Sequence, residues 1–334
     1  MPKRLLYPVA LLLFSLMLTS SCKTDFNVNA PYKEQYVVYG LLDLHSPVQV
    51  IKITKLFQNS STSTAYQGAK QIDSLYPGEN VVVTLYEINN NDTLRSAVLT
   101  RYFDNHKDTG LFASPGQYLY ATPNGFILNP TYTYGLKLRD TKTNVVSTAK
   151  TVLVGDITPQ RPAYHSTVNF SNSDGAYFAI TFGPGNNATS YDLDVKIPVL
   201  QYSKKDSSFI RRDTLDFNIL RSFTQIQGKI IFSVLGQDFY SFLRTSLTPD
   251  PNVYRKLDSL DFDFLGAGAD LTNYIEVNAP SADIVQKNTN YTNVTNGIGI
   301  FSARTHTHVR NRLSDNSFTI LMTTDNLKSL NIVK

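Results

Sequence analysis

Short runs of alternating apolar and polar residues, separated by turn-forming clusters, constrain this chain more than any other feature. In the clearest run, four large apolar residues alternate with mostly polar ones: Tyr132, Tyr134, Leu136 and Leu138. These four side chains share one face of an extended strand. Similar short apolar or alternating runs lie at 36–41, 48–53, 81–86, 117–121 and 145–153. Short strands at this spacing predict a mainly β fold of the sandwich type.

The turn before the clearest strand carries a more specific pattern. Leu128 and Pro130 precede Tyr134 in the spacing Leu-x-Pro-x-x-x-Tyr-x-Leu-x-Leu. This pattern resembles the start of strand F in fibronectin type III and related immunoglobulin-like sandwiches. The resemblance implies a tyrosine corner, in which the Tyr134 hydroxyl hydrogen-bonds to the backbone before its strand. The alternative is an ordinary amphipathic strand that follows a proline by chance.

A stretch at residues 155–162 is the best candidate for a domain boundary, since it contains two prolines and lacks apolar periodicity. After it, alternating runs resume at 177–182, and strands are expected over 260–265, 271–277 and 298–303. Short helices are expected over 237–247 and from Asp250 to Leu257. The sequence thus predicts tandem immunoglobulin/fibronectin-like β-sandwich domains, 35–155 and 156–334, the second with short helical insertions.

The first 22 residues are typical of an export signal. Lys3 and Arg4 precede a short, largely apolar stretch, and small residues lead to Cys22, the sole cysteine. A stretch this short does not span a bilayer as a stable helix, and a buried amphipathic helix is disfavoured because it has no polar face. The position of Cys22 resembles the lipobox of bacterial lipoproteins, although Thr19 stands where that motif prefers leucine. We therefore expect a signal peptide at 1–21, an acylated (palmitoylated) Cys22 and a polar tether at 22–34.

The balance of charge argues against one class of partner. The chain has 31 Lys and Arg against 27 Asp and Glu, and two of the basic residues leave with the signal peptide. The remaining chain is close to neutral and carries no basic cluster. This composition argues against nucleic acid as a partner.

Two motifs, taken with the lipoprotein start, resemble a known group. Tyr36–Leu42 reads YVVYGLL, and Asn293–Phe301 reads NVTNGIGIF. Together they resemble uncharacterised lipoproteins of Bacteroidetes-type bacteria, many of which are encoded beside TonB-dependent outer-membrane transporters. The resemblance implies lipid anchoring at the outer membrane, on its periplasmic or cell-surface face, and a role accessory to a transporter. The second motif also has a structural interpretation, since Asn296-Gly297 suits a tight turn and Gly299 permits close approach of another strand.

Two clusters are candidates for chemistry. His306 and His308 lie two residues apart on a predicted strand and could share a metal, but zinc needs three or four ligands, so an exposed strand face is favoured. Asp258, Asp261 and Asp263 lack the spacing of a calcium loop. The sequence has no nucleophile elbow, HExxH motif, P-loop or Rossmann fingerprint. We therefore expect no metal, no cofactor and no catalytic residue.

Four tripeptides fit the pattern Asp-[Ser/Thr]-apolar, which resembles the O-glycosylation acceptor motif of exported proteins in Bacteroidetes-type bacteria. Their hydroxyl-bearing residues are Ser74, Thr93, Thr214 and Ser259. Such tripeptides also arise by chance in any sequence rich in Ser and Thr, so both interpretations stay open. A glycan is bulky and hydrophilic, and a modified residue must therefore lie on the surface.

Three functions remain for such a chain. The favoured one is a non-catalytic cell-envelope lipoprotein that makes protein contacts, accessory to an outer-membrane transporter. The alternative is a surface lipoprotein that binds glycans or nutrients, and a hydrolase ranks third. Sandwich domains serve all three functions, so the fold cannot decide. An aromatic groove would favour glycan binding, whereas carboxylates or histidines clustered in a pocket would favour a hydrolase.

The anchor gives the first testable prediction. We expect Cys22→Ser to block acylation, so that the protein is released in soluble form or retained as an uncleaved precursor. Membrane fractionation followed by intact-mass measurement distinguishes these forms from the mature protein. A variant that stays in the membrane fraction at the normal mature mass would contradict the lipobox interpretation.

Overall fold

The computed structural model describes residues 35–56, 75–106, 116–225, 228–279 and 291–334. The predicted signal peptide at 1–21, the tether at 22–34 and the residues Cys22 and Ser74 lie outside this part of the chain. The described residues are mainly β, as the sequence predicts. No helix among them is long and apolar enough to cross a membrane.

The elements follow one another along the chain with strands in the majority. The strands of the first half are β1 (Gln35–Asp43), β2 (Val50–Leu56), β3 (Val81–Asn89), β4 (Asp92–Val98), β5 (Thr100–Asp104), β6 (Gln117–Ala121), β7 (Thr133–Asp140) and β8 (Val146–Val152). Those of the second half are β9 (Thr158–Arg161), β10 (Thr167–Val168), β11 (Tyr177–Gly183), β12 (Ala188–Ser203), β13 (Phe209–Thr224), β14 (Ile230–Leu235), β15 (Val253–Leu257), β16 (Leu260–Gly268), β17 (Ile298–Leu313) and β18 (Ile332–Val333). The helices are α1 (Gly236–Ser246), α2 (Ala269–Asn278), α3 (Asp315–Thr323) and α4 (Asp325–Lys328).

The first half of the chain contributes strands to two sheets that share a core. One is a four-stranded antiparallel sheet in the order β4-β3-β7-β8. The other is part of a larger sheet, in the order β1-β2-β6-β5. Their apolar side chains belong to one hydrophobic cluster, for example Val38 and Ile51 on one side and Leu85 and Leu136 on the other. Alternation along each strand therefore directs one face of each sheet into a common core, as in a β-sandwich.

A buried hydrogen bond connects these two sheets. The hydroxyl of Tyr36 on β1 donates to Oδ2 of Asp140, at the end of β7, over 2.6 Å. Asp140 is almost completely buried and also accepts hydrogen bonds from the Asn80 amide and from the backbone N–H groups of Lys142 and Thr143. Burial alone would raise the pKa of this carboxyl, but the donors outweigh it and hold the pKa far below its ordinary value. Asp140 is therefore ionised, and its charge is satisfied inside the protein.

The predicted tyrosine corner is confirmed. Tyr134 on β7 is fully buried, and its hydroxyl oxygen accepts a hydrogen bond from the backbone N–H of Asn129 over 2.7 Å. The same hydroxyl donates to Oε2 of Glu87 on β3, also over 2.7 Å. Glu87 is in turn paired with Arg95 on β4. The corner thus fixes the turn before β7 and connects three neighbouring strands.

The largest sheet joins the two halves of the chain. Its strand order is β18-β15-β12-β16-β17-β1-β2-β6-β5, with β13 paired to β12 and β10 to β17. Strand β1 pairs in parallel with β17, from Val37 opposite Ile298 to Asp43 opposite Arg304. Core residues of both halves belong to the same hydrophobic cluster. The segments 35–155 and 156–334 therefore share a sheet and a core, and residues 155–162 do not separate two independent cores.

The helical insertions of the second half are only partly as expected. Helix α1 matches the prediction for 237–247, and it packs through Phe239, whose ring stacks on Phe170 at a centroid distance of 4.2 Å. The helix predicted between Asp250 and Leu257 is wrong, because Val253–Leu257 forms β15 between β12 and β18. The strand predicted at 271–277 is also wrong, since these residues belong to α2.

The tyrosine corner gives a prediction for stability. Tyr134→Phe removes the acceptor of the Asn129 N–H and the donor to buried Glu87, so we expect it to lower the free energy of unfolding by about 1–3 kcal/mol. Tyr132→Phe is the matched control, because Tyr132 is only partly buried, and we expect it to change stability by about 0.5 kcal/mol or less. Denaturant melts of the two variants measure the difference. Equal midpoints for Tyr134→Phe and the parent protein would argue against a stabilising corner.

Candidate functional site

The two histidines singled out in the sequence lie with Asp261 and Asp263 on the outer face of the large sheet, whereas Asp258 lies in the turn before β16. His308 on β17 stands opposite Asp263 on β16, with Nδ1 2.7 Å from Oδ1. The other oxygen of Asp263 pairs with Nζ of Lys196 on β12 at 2.8 Å. His306 points to the same side of β17 but pairs with Asp43 of β1, at 3.0 Å. The two histidines therefore share a strand face, as predicted, yet contact different carboxylates.

These contacts form a charged ladder across β12, β16 and β17. Burial would raise the pKa of Asp263, but Lys196 and His308 outweigh it and lower the pKa. Asp263 in turn raises the pKa of Lys196. No group of three or more potential metal ligands occurs among the described residues. Lys196 and Asp263 place opposite charges on neighbouring strands, and such a pair stabilises a sheet by about 0.2–1 kcal/mol, so the ladder has a structural role.

A cleft lined by tyrosines lies elsewhere, where β1, β17 and α2 meet. It has a volume of about 230 Å³, and we call it the tyrosine cleft. Three tyrosines from separate segments line it: Tyr39 on β1, Tyr274 on α2 and Tyr291 before β17. The Tyr291 hydroxyl donates to Oδ1 of Asp270 over 2.6 Å. Burial raises the pKa of both Tyr39 and Tyr291, so both hydroxyls are neutral near pH 7.

Hydroxyl contacts hold α2, and with it Tyr274, in place. Thr272 is the buried residue of this helix, and its Oγ1 lies 2.7 Å from Oγ1 of Thr189 and 2.8 Å from Oγ of Ser190, both on β12. The backbone N–H of Leu271 donates to Oγ of Ser302 on β17 over 3.2 Å. The helix therefore docks on the sheet through short polar side chains, which fixes one wall of the cleft.

Gly299 forms part of the opposite wall and is required by the backbone. Its φ is +102°, and a Cβ there would overlap the carbonyl of Val38 on β1. Asn296 has φ +59°, as expected for the turn before β17. The structural interpretation of the NVTNGIGIF motif is thus confirmed. The motif brings β17 against β1, and this contact also shapes the cleft.

The three-stranded sheet, in the order β14-β11-β9, exposes an apolar surface. Tyr177 on β11 stands opposite Leu235 on β14, so these side chains and that of Ile231 share one face. They are 63%, 42% and 64% exposed, respectively. Within the described chain, β14 pairs only with β11, and its sequence IIFSVL has no charge. We call Tyr177, Ile231 and Leu235, with the open side of β14, the apolar edge.

The predicted modification sites differ in their surroundings. Thr93 and Thr214 are exposed, so glycosylation at these residues stays a prediction. Ser259 is only 4% exposed, and its hydroxyl accepts a hydrogen bond from Arg310 over 3.2 Å. A glycan on Ser259 would have to displace the contact with Arg310, so the folded structure disfavours modification at this residue. Neither Cys22 nor Ser74 is among the described residues.

Comparisons with known proteins identify no family. No protein-family model matches the chain, and no curated protein matches it. Among solved structures, the chain is similar to the C-terminal globular domain of an oligosaccharyltransferase from Pyrococcus abyssi, at 10% identity and a TM-score of 0.21. That match covers 69% of this chain and 48% of the other, so the chain spans about half the length of that structure. At this level of similarity the match supports no functional argument.

Proposed function

We propose that the protein is a non-catalytic lipoprotein of the cell envelope, anchored through Cys22, which works by contact with a membrane-embedded partner. The observation that carries this proposal is the apolar edge. Single exposed apolar residues are common on protein surfaces. Three exposed apolar residues on one face, beside an uncharged edge strand, are unusual. Natural edge strands are normally protected against pairing with another chain by charge, proline or a bulge. Such an edge favours the binding of another chain.

The contact that fits this surface is strand addition. An extended segment of the partner pairs with β14 through main-chain hydrogen bonds, and its side chains contact Ile231 and Leu235. The partner we propose is a TonB-dependent outer-membrane transporter, which is what the sequence resemblance implies. A lipid anchor at Cys22 holds both proteins at one membrane and raises their effective concentration, so even a modest contact suffices.

The apolar edge can be tested by a charge substitution. We expect Ile231→Lys to reduce recovery of the transporter by about tenfold or more, since the lysine places an unpaired charge in an apolar contact. Val98→Lys on β4 is the matched control, because Val98 is 60% exposed on the edge strand of a different sheet. Both variants carry a tag beyond Lys334, are gently solubilised from native cells, and are compared with the parent protein by quantitative mass spectrometry.

Two outcomes would contradict this proposal. Equal transporter recovery with Ile231→Lys and the parent protein would show that the contact does not involve the apolar edge. Recovery of the protein alone, with hydrolytic activity that is lost on mutation of a carboxylate, would favour an enzyme instead.

A second candidate function, glycan binding, is favoured by the tyrosine cleft. Aromatic rings pack against the apolar faces of sugars, and tyrosine adds a hydroxyl for hydrogen bonding. The cleft combines three such rings with the Asn278 side chain and Thr292. Its volume is below the usual range of about 300–1,000 Å³ for small-molecule pockets, so we expect it to accept a single terminal sugar unit.

Glycan binding has its own test. If a glycan array identifies a ligand, we expect Tyr39→Ala to weaken its binding by about tenfold, because one stacking surface is lost. Tyr177→Ala is the control, since Tyr177 is exposed on the apolar edge and does not line the cleft. Unchanged affinity in Tyr39→Ala, or equal losses in both variants, would argue against the cleft as the binding site.

A further inference from the structure

A second, larger cleft lies at the far end of β17. Its volume is about 660 Å³, and it opens between the segment that precedes β10 and the turn that precedes β16. The polar side chains that line it include His165, Thr167, Asp258, Ser259, Arg310 and Arg312. We call it the arginine cleft. Its volume lies within the usual range of about 300–1,000 Å³ for small-molecule sites.

Positive charge is in excess around this cleft. Three guanidinium groups, those of Arg212, Arg310 and Arg312, stand near two carboxylates. Arg212 and Arg310 share one oxygen of Asp258, at 3.5 and 3.2 Å, and Nε of Arg310 is 3.3 Å from Asp261. Arg312 is exposed, and its side chain makes no ion pair with another described residue. The cleft therefore has one guanidinium without a counter-charge and a second whose contacts leave some of its five N–H donors free.

The walls of the cleft are held by buried polar contacts. Asn311, which is 1% exposed, donates through Nδ2 to the carbonyls of Ala163 and Ser166, over 2.8 and 2.9 Å. These bonds attach the segment that carries His165 to β17. The backbone N–H of Arg312 also donates to the Ser166 carbonyl, over 3.4 Å. Arg310 and Arg312 are both on the outer side of the strand, so the fold presents their side chains in parallel from a rigid element.

The set of donors indicates the class of ligand. Guanidinium groups match the geometry of carboxylate and phosphate oxygens, and charged hydrogen bonds to them are stronger than neutral ones. Ser259 and Thr167 add hydroxyl groups to the cleft. Ser259 accepts a hydrogen bond from Arg310, which leaves its own proton free to be donated.

We propose that the arginine cleft binds the oxyanion group, a carboxylate or a phosphate, of a small polar organic ligand. Arg312 supplies the main charge contact, and Arg310 and the hydroxyl of Ser259 supply further donors. The cleft is separate from the apolar edge and from the tyrosine cleft, so this site does not depend on the function proposed above.

Isothermal titration calorimetry on the full-length protein tests the site, in a non-ionic detergent without a sugar headgroup. The probes are glucuronate, which carries a carboxylate, glucose 6-phosphate, which carries a phosphate, and neutral glucose. We expect one or both of the anionic probes to bind and glucose to bind at least about tenfold more weakly, because it lacks the oxyanion. Binding should weaken as salt is added. The preferred probe identifies which oxyanion the cleft selects.

Matched arginine variants locate the site. Arg312→Gln should weaken binding of the preferred probe by about tenfold or more. Arg304→Gln is the control, since Arg304 is exposed on the same face of β17 outside the cleft, and it should leave the affinity unchanged. Because both residues are exposed, their melting midpoints should match that of the parent protein. The proposal is overturned if neither anionic probe binds, if glucose binds as tightly, or if Arg312→Gln and Arg304→Gln bind equally well.

Discussion

The parallel pairing of β1 with β17 is the interaction on which the rest of the structure depends. This pairing brings β17, near the end of the described chain, against β1. It therefore joins two halves that would otherwise form separate sheets. Gly299 makes it possible, because a side chain there would overlap the backbone of β1. Strand β1 also reaches the four-stranded sheet, through the hydrogen bond from Tyr36 to Asp140. One strand thus holds the large sheet, the shared core and the second sheet together.

Strand β17 in turn connects three of the four surfaces described above. Its first residues, Ile298 and Gly299, form part of the tyrosine cleft, and its last outward-facing arginines line the arginine cleft. Between them, His308 belongs to the charged ladder and His306 pairs with Asp43 on β1. The strand alternates from Ala303 onward, with buried or partly buried residues on one side and basic residues on the other. A single rigid element therefore positions two candidate binding sites at fixed separation, with charge pairs that stabilise the sheet between them.

Local signals in the sequence were sufficient for several of the strands and for the tyrosine corner, because both depend on residues close together in the chain. The spacing of Leu128, Pro130 and Tyr134 placed the corner correctly. The pairing of β1 with β17 has no such signal, since it depends on which distant edges meet, and for this reason the expected boundary did not separate two cores. Tertiary contacts also overrode local preference at Val253–Leu257, which becomes a strand because it completes the edge beside β12.

The candidate sites were predictable only in part. The tyrosine cleft combines residues from three distant segments, so no single stretch of sequence indicates it. A signal for the arginine cleft was present in the regular alternation of Arg304, His306, His308, Arg310 and Arg312, which predicts one basic strand face. Metal-binding chemistry singles out only the two histidines of this row. The sequence does not indicate that the segment carrying His165 lies beside Arg310 and Arg312.

The order of strands along the chain also constrains when this protein can fold. Strand β1 begins at Gln35, whereas its partner β17 begins only at Ile298. In a chain that emerges N-terminus first, the edge of β1 that pairs with β17 therefore stays unpaired until nearly all of the polypeptide has appeared. Contacts between such distant segments form slowly, and unpaired edges invite association with other chains in the meantime. Closure of the large sheet is consequently a late step of folding, because β1 can pair with β17 only after almost the whole chain is available.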